Sequence, residues 1–215
     1  MTAPRTRRRN KLAPDPDVHR AIVAAAAEAL RERGVRRLSV AAVLDRADLS
    51  TRAFYRHFES KDQVVAAVFL EMAHAEKRRL QRKMAKAADP VEAVAAWIDG
   101  RLDLAFDENI KSDLHRLSLE AQSQMFAAPE LIQPAFEEML KPLIEQLERG
   151  LSVGMFRDID PASVAQSIQG VVWASTERHW AAGDCERIEV RDRALRFCLR
   201  GLGVKDDTID DIARP

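Results

Sequence analysis

Residues 39–63 read SVAAVLDRADLSTRAFYRHFESKDQ, and this stretch organises the rest of the chain. Ser39 offers a side-chain oxygen to the unpaired N–H groups of a helix start. Val40, Val43, Leu44 and Ala47 then recur at i, i+3, i+4 and i+7, one apolar face of a short helix. Asp48, Leu49 and Ser50 interrupt that period, because Asp and Ser compete with the helical backbone and favour turns and caps. Ser50 can cap a second short helix on which Phe54 and Phe58 point inward, leaving Thr51, Arg52, Tyr55 and Arg56 outside. Ser60-Lys61-Asp62-Gln63 has the form of a capping box, so a third helix starts there. Two short helices joined by a brief turn make a helix-turn-helix.

The outward set suits DNA. A guanidinium can grip guanine O6 and N7, Thr can meet a base edge or a thymine methyl, and Tyr and Lys reach phosphate oxygens. An ordinary solvated helix face is the competing explanation. The run Leu49 to Asp62, L-S-x-x-x-F-Y-x-H-F-x-S-K-D, resembles the signature of the tetracycline-repressor family of bacterial transcription regulators. Phe54-Tyr55 and Phe58 through Asp62 carry most of the likeness, and Asp48 stands where that family has a turn glycine. Asp tolerates left-handed backbone better than most residues, so the turn is expected to survive. The resemblance implies an all-α fold of about nine helices. An N-terminal three-helix helix-turn-helix domain would be joined by a continuous long helix to a C-terminal bundle for ligand binding and dimerisation. It also implies a DNA-facing set of Ser39, Ser50, Thr51, Arg52, Tyr55, Arg56, His57 and Lys61, with His57 at a backbone-contacting position.

The chain has 215 residues, 47% hydrophobic and 32% charged, the balance of a globular protein with a real core. Its 8 glycines, single tyrosine and Ala-rich runs favour helix over sheet. Net charge is zero but unevenly divided: residues 1–62 hold 14 Lys/Arg against 8 Asp/Glu, and the remainder holds 20 against 26. The basic end is the end with the helix-turn-helix, where counterion release from DNA rewards positive charge. Arg5, Arg7, Arg8, Arg9 and Lys11 form a basic arm that either lies on DNA or only aids solubility. No apolar h-region follows it, and no apolar run approaches membrane-span length, so a cytoplasmic protein without membrane attachment is expected. Cys185 and Cys198 have no CxxC partner or nearby His, which suits buried reduced thiols.

Taken in order, the expected divisions are an arm over 1–15, a helix-turn-helix domain over 16–76 with its motif at 39–58, an effector and dimerisation domain over 77–203, and an acidic tail over 204–215, disordered at 206–211. Asp15-Pro16 starts the first helix, with Ile22, Val23, Ala26 and Leu30 inward and Gly34 ending it. The long helix from Ser60 is expected to run to about Ala87 without a linker, its Lys/Arg-rich second half a solvated face. Asp89-Pro90-Val91-Glu92 starts another helix, with a break near Asp107–Lys111. Pro134 and Pro142 suggest a kink or division in the helix starting at Pro129. Asp160-Pro161 caps a helix whose stripe Ser163, Ser167, Gly170, Ala174 is small throughout, and the final helix offers Ala194, Phe197 and Cys198. These two helices from each subunit could form a four-helix dimer interface, as the resemblance implies, or only fill the subunit's own core.

Catalytic constellations are missing from the pattern. The five histidines are scattered, and there is no HExxH, GxSxG or phosphate-cradling glycine loop, so no metal, no cofactor and no enzymatic activity are expected. Trp97, Arg101, Phe106, His115, Phe126, Trp173 and His179 are candidates to line a ligand pocket. Three function classes follow. The first is a homodimeric repressor that binds a palindromic operator in double-stranded DNA and is released by a small apolar or aromatic effector. The second is a DNA-binding regulator or architectural protein without an effector, and the third a helical enzyme.

Overall fold

The structure, a computed structural model, describes residues 15–107, 113–182 and 186–214. The basic arm before Asp15, Cys185 and the segment 108–112 of the expected break lie outside these residues. Contacts divide the chain into two compact units, Met1–Val68 and Phe69–Pro215, so the division falls earlier than the boundary expected at 76 and inside a helix.

In the first unit, α1 (Pro16–Arg33) begins where the Asp15 carboxylate accepts a hydrogen bond from the Asp17 N–H at 3.0 Å, with proline at the first turn. Gly34 ends it at φ 72°, a conformation that a Cβ would strain. After a 3-10 turn at Val35–Arg37 comes α2 (Val40–Ala47), capped by Ser39 Oγ, which accepts from the Ala42 N–H at 3.2 Å. Asp48 then turns the chain in left-handed backbone, φ 52° and ψ 47°, so the turn expected there is made without glycine. Short α3 (Thr51–Phe54) follows, its Ser50 Oγ accepting from the Ala53 N–H at 3.3 Å. Helix α1 packs on α2, and Ile22, Ala26 and Leu30 of α1, Val43 and Leu44 of α2, and Phe54 and Phe58 are all buried in this unit. Each such aromatic or branched side chain contributes about 1.5–3 kcal/mol by leaving water.

Helix α4 (Lys61–Met84) starts on the expected capping box. Ser60 Oγ accepts from the Gln63 N–H at 3.2 Å, while Gln63 reaches back to accept from the Glu59 N–H at 2.7 Å. It is unbroken across the division between the units and ends three residues before Ala87. Its Lys/Arg-rich half is only partly the solvated face expected from sequence: Arg78, Arg82 and, just past its end, Lys86 are exposed, but Lys77, Arg79 and Lys83 are half-buried. Lys77 donates to Glu138 at 2.6 Å and Lys83 to Asp103 at 2.6 Å, so these cations tie α4 to its neighbours.

The second unit is built around α5 (Pro90–Phe106), which is apolar on nearly every side and buries Val94, Trp97, Ile98, Leu102 and Ala105. Around it lie α6 (Asp113–Ala127), α7 (Pro129–Ser152), α8 (Pro161–Ala182) and α9 (Arg187–Gly201). Pro134 and Pro142 do not divide α7, which is one helix over all 24 residues. At its end the chain folds back, and the Met155 and Phe156 N–H groups both donate to the Gly150 carbonyl at 2.9 and 3.1 Å. Phe156 then lies so close over Gly150 that a Cβ there would sit 2.1 Å from its ring.

The acidic tail is a correction to the expected disorder. Residues Asp206–Ala213 form α10, with Ile209 fully buried. Arg191 donates to the Ala213 and Ile212 carbonyls at 3.0 and 3.1 Å, and Arg196 and Arg200 pair with Asp210 and Asp206 at 2.6 and 2.8 Å. Basic residues spaced along one side of α9 thus hold acidic residues of the tail, and Ile209 supplies the apolar area that loose acidic tails lack. The described residues contain ten α-helices, the tail helix adding one to the number expected, and none is long and apolar enough to cross a membrane.

Candidate functional site

The geometry of the first unit presents one exposed polar face. Ser39, Ser50, Thr51, Arg52, Tyr55 and Arg56 are exposed, and His57 and Lys61 are half-buried. Tyr55 keeps 59% of its surface in solvent, unusual for its size, while its ring edge rests on Phe54 with centroids 5.3 Å apart. The face is held from behind. His19 of α1 stacks on Phe58 at 4.7 Å and meets His57 edge-on at 6.3 Å. Burial, with the nearby His19 and Arg56 charges, lowers the His57 pKa and favours its neutral ring. Arg46 of α2 does not join the polar face as a reader. It pairs back to α1, 2.7 Å from Glu32 and 3.6 Å from Glu28, fixing the two helices against each other.

The second unit contains an apolar cavity of about 40 Å³ lined by Phe69, Met72, Leu104, Phe136, Met139 and Trp173, with Glu76, Arg101 and Ser118 as polar groups. The sequence-derived pocket set separates into three groups here. Arg101 and Trp173 line the cavity. Trp97, Phe106 and His179 are not among its lining residues. Trp97 is wholly enclosed in the core, and Phe106 packs against His179 at 4.0 Å, facing elsewhere because it lies two residues round the helix from Leu104. His115 and Phe126 are on α6, but their side chains lie outside the described residues. Glu76, Met72, Phe136 and Met139 were missed. Glu76 was findable, since it continues the inward Val65, Val68, Met72 spacing of α4 and is a charge on a core stripe.

Glu76 and Arg101 are 6% and 8% exposed and meet at 2.9 Å. Arg79 also donates to Glu76, at 2.8 and 2.9 Å, and to the Gly100 carbonyl. Burial pushes the Glu76 carboxyl upward, but the hydrogen bond from Arg79 and the charges of Arg101 and Arg79 outweigh it and hold the group below the usual carboxylate range. Arg101 is pulled down by burial against the opposing pull of Glu76, yet a guanidinium stays charged at any neutral pH. Its Nε has no hydrogen-bond partner among the described residues.

On α8, Ser163, Ser167, Gly170 and Ala174 all face solvent, and a Cβ added at Gly170 would meet nothing within 4 Å. On α9, Phe197 is 68% exposed and borders a shallow groove with Val171, Ala174 and Arg178. Ala194 and Cys198 are 1% and 6% exposed and pack with Leu195, Leu199 and Leu202 in the chain's own core, although Ala194 also borders that groove. Burial pushes the Cys198 thiol up to about 12, which leaves it unreactive.

Comparison with known proteins adds three kinds of finding. A family model described as "Bacterial regulatory proteins, tetR family" matches residues 22–68, the span from α1 into α4. The transcriptional repressor KstR2 of Mycolicibacterium smegmatis is 22% identical over 178 residues, covering 82% of this chain and 86% of the repressor. Among solved structures, RolR in complex with resorcinol superposes with a TM-score of 0.65 at 19% identity, covering 93% of this chain and 94% of RolR. SmeT, the repressor of the Stenotrophomonas maltophilia efflux pump SmeDEF, gives 0.62 at 24% identity over 87% and 91% of the two chains. At these identities the superpositions speak for the fold.

Proposed function

We propose that this chain, whose residues 22–68 match the tetR family of bacterial regulatory proteins, is a repressor that binds a palindromic operator as a homodimer and leaves it when a small apolar or aromatic effector binds. The observation that carries the proposal is the exposed face of α3 and its flanks, within the matched segment. Arg52 is the base reader, through guanine or a neighbouring edge, and Thr51 assists it. Ser39, Ser50, Tyr55, Arg56, His57 and Lys61 fix the domain on phosphates and sugars. Two such faces, separated by about 34 Å or a multiple of it, read successive grooves of one operator.

The exposed small-residue face of α8, with Phe197 of α9, supports pairing of two protomers. Small side chains let helices approach closely, and an exposed Phe is then covered. The cavity beside Glu76 and Arg101 supports the effector role, and RolR, a neighbour of the same fold, was solved with resorcinol bound. Helix α4 connects these functions, since Lys61 opens it and Glu76 lies further along it. A ligand that prefers the released state tenfold shifts the equilibrium by about 1.4 kcal/mol per site.

Selection of bound fragments from random DNA, followed by binding isotherms, tests the proposal. The expected result is one inverted repeat bound far more tightly than scrambled DNA. Equal affinity for both would favour an architectural DNA-binding protein instead.

A further inference from the structure

The cavity of the second unit is walled almost entirely by apolar side chains, yet it contains a buried guanidinium whose Nε donor is unmatched. A buried donor without an acceptor is costly, and most native buried polar groups avoid that state. The neighbouring carboxylate cannot relieve it. Glu76 Oε1 already accepts from Arg101 Nη1 and from Arg79, and Oε2 accepts from Arg79 Nε. Glu76, Arg79 and Arg101 together carry one negative and two positive charges, so the group has positive charge to spare. Asp103, 3.5 Å from Arg79, offsets only part of it, because the same carboxylate also serves Lys83 and Arg187 at 2.6 and 2.7 Å.

The geometry points to an amphipathic carboxylate as the effector class: an apolar or aromatic body with a single acid group whose oxygen accepts from Arg101 Nε. This inference rests on the cavity being the effector site. The apolar body meets Phe136 and Trp173, whose rings stand edge to face at 5.0 Å, and the flexible thioethers of Met72 and Met139. At about 40 Å³ the cavity has room for only a few waters, so entry of such a ligand requires those unbranched side chains to move aside. An alcohol or amide offers a weaker acceptor and leaves the excess positive charge unanswered. A cationic amphipath would add to it.

Calorimetric titration of the full-length protein with matched probes tests this. Hydrocinnamic and decanoic acids are compared with their own primary amides and alcohols. The expected result is that at least one acid binds ten-fold or more tightly than its amide and its alcohol. Arg101→Gln should then weaken the acid at least ten-fold while changing the alcohol less than two-fold. If neutral probes bind as well as the acids, the carboxylate class is overturned and the effector cavity stands. If no probe of either kind binds, both are overturned. An equal loss of acid and alcohol in Arg101→Gln would make Arg101 a packing residue and overturn the proposal. Should that variant fail to fold, the acid-to-amide ratio of the unaltered protein decides alone.

Discussion

Arg52 and Lys61 are nine positions apart and carry different expectations about sequence dependence. If Arg52 makes the proposed bidentate base contact, Arg52→Ala should cost about 1–3 kcal/mol on the operator and much less on scrambled DNA. Lys61→Ala should weaken binding on all sequences alike and reduce the salt slope by about one, as a lost phosphate contact does. Binding isotherms on both DNAs at several salt concentrations separate the two. A second residue-level effect concerns acid. Hydrogen bonds from Lys141 and Lys77 hold the Glu138 carboxyl down from its usual 4.5 to about 2, and Glu76 is also lowered. A carboxyl lowered in the folded state contributes stability above its unfolded value, and that contribution is lost as pH falls through the folded value. Unfolding followed by circular dichroism should therefore show stability falling between about pH 4.5 and 2. Glu138→Gln should be less stable at pH 7 and should lose less over that window.

Two elements depend on contacts that can be tested by single substitutions. The turn after α7 needs glycine at 150 because the enclosed Phe156 ring lies where a Cβ would be, and neither can retreat into solvent. Gly150→Ala should destabilise the protein by about 1–3 kcal/mol, the range for overpacking a filled core, read by denaturant unfolding. Alanine is otherwise the better helix former, so a neutral result would mean that the ring has somewhere to go. Helix α10 depends on Ile209, whose side chain is fully enclosed. Ile209→Ala should cost about 2–5 kcal/mol if α10 unfolds together with the bundle. A free tail would show almost no effect.

Assembly and signalling belong to the whole molecule. A Cβ at Gly170 meets nothing within the protomer, so Gly170→Leu should leave the fold intact while its bulk keeps a second α8 at a distance. Sedimentation should show the unaltered protein as a dimer at micromolar concentration and the variant shifted toward monomer. A variant that remains dimeric would remove this face from the interface. Continuity of α4 can be tested without changing its register. Replacing Ala66 and Ala67 together with glycine costs roughly 1 kcal/mol of helix propensity at each site and softens the helix next to the division between the units. Effector affinity should be retained while effector-driven release from DNA weakens. Full release by the softened protein would sink transmission through a stiff α4.

The helix-turn-helix was legible from residues 39–63 because its determinants are local. Ser39, Ser50 and Ser60 cap N–H groups within three residues of themselves, Asp48 sets its own turn, and Phe54 and Phe58 follow one helical period. The same locality made the starts at Asp15, Asp89 and Asp160 readable. Helical period alone could not assign partners to side chains far along the chain. Trp97 and Arg101 are one turn apart on α5, yet one is sealed in the core and the other faces the cavity. Ala194 and Phe197 are neighbours on α9 with opposite exposure. The order of α10 depends on Arg191, Arg196 and Arg200 of another helix, and local acidity predicted the reverse. The sequence by itself determined where helices start, which face of each is apolar and where the helix-turn-helix lies, since these are settled within a turn or two of backbone. Only the tertiary structure decided the cavity walls, the Glu76–Arg101 pair and the docking of the tail, because each depends on how helices distant in sequence pack together.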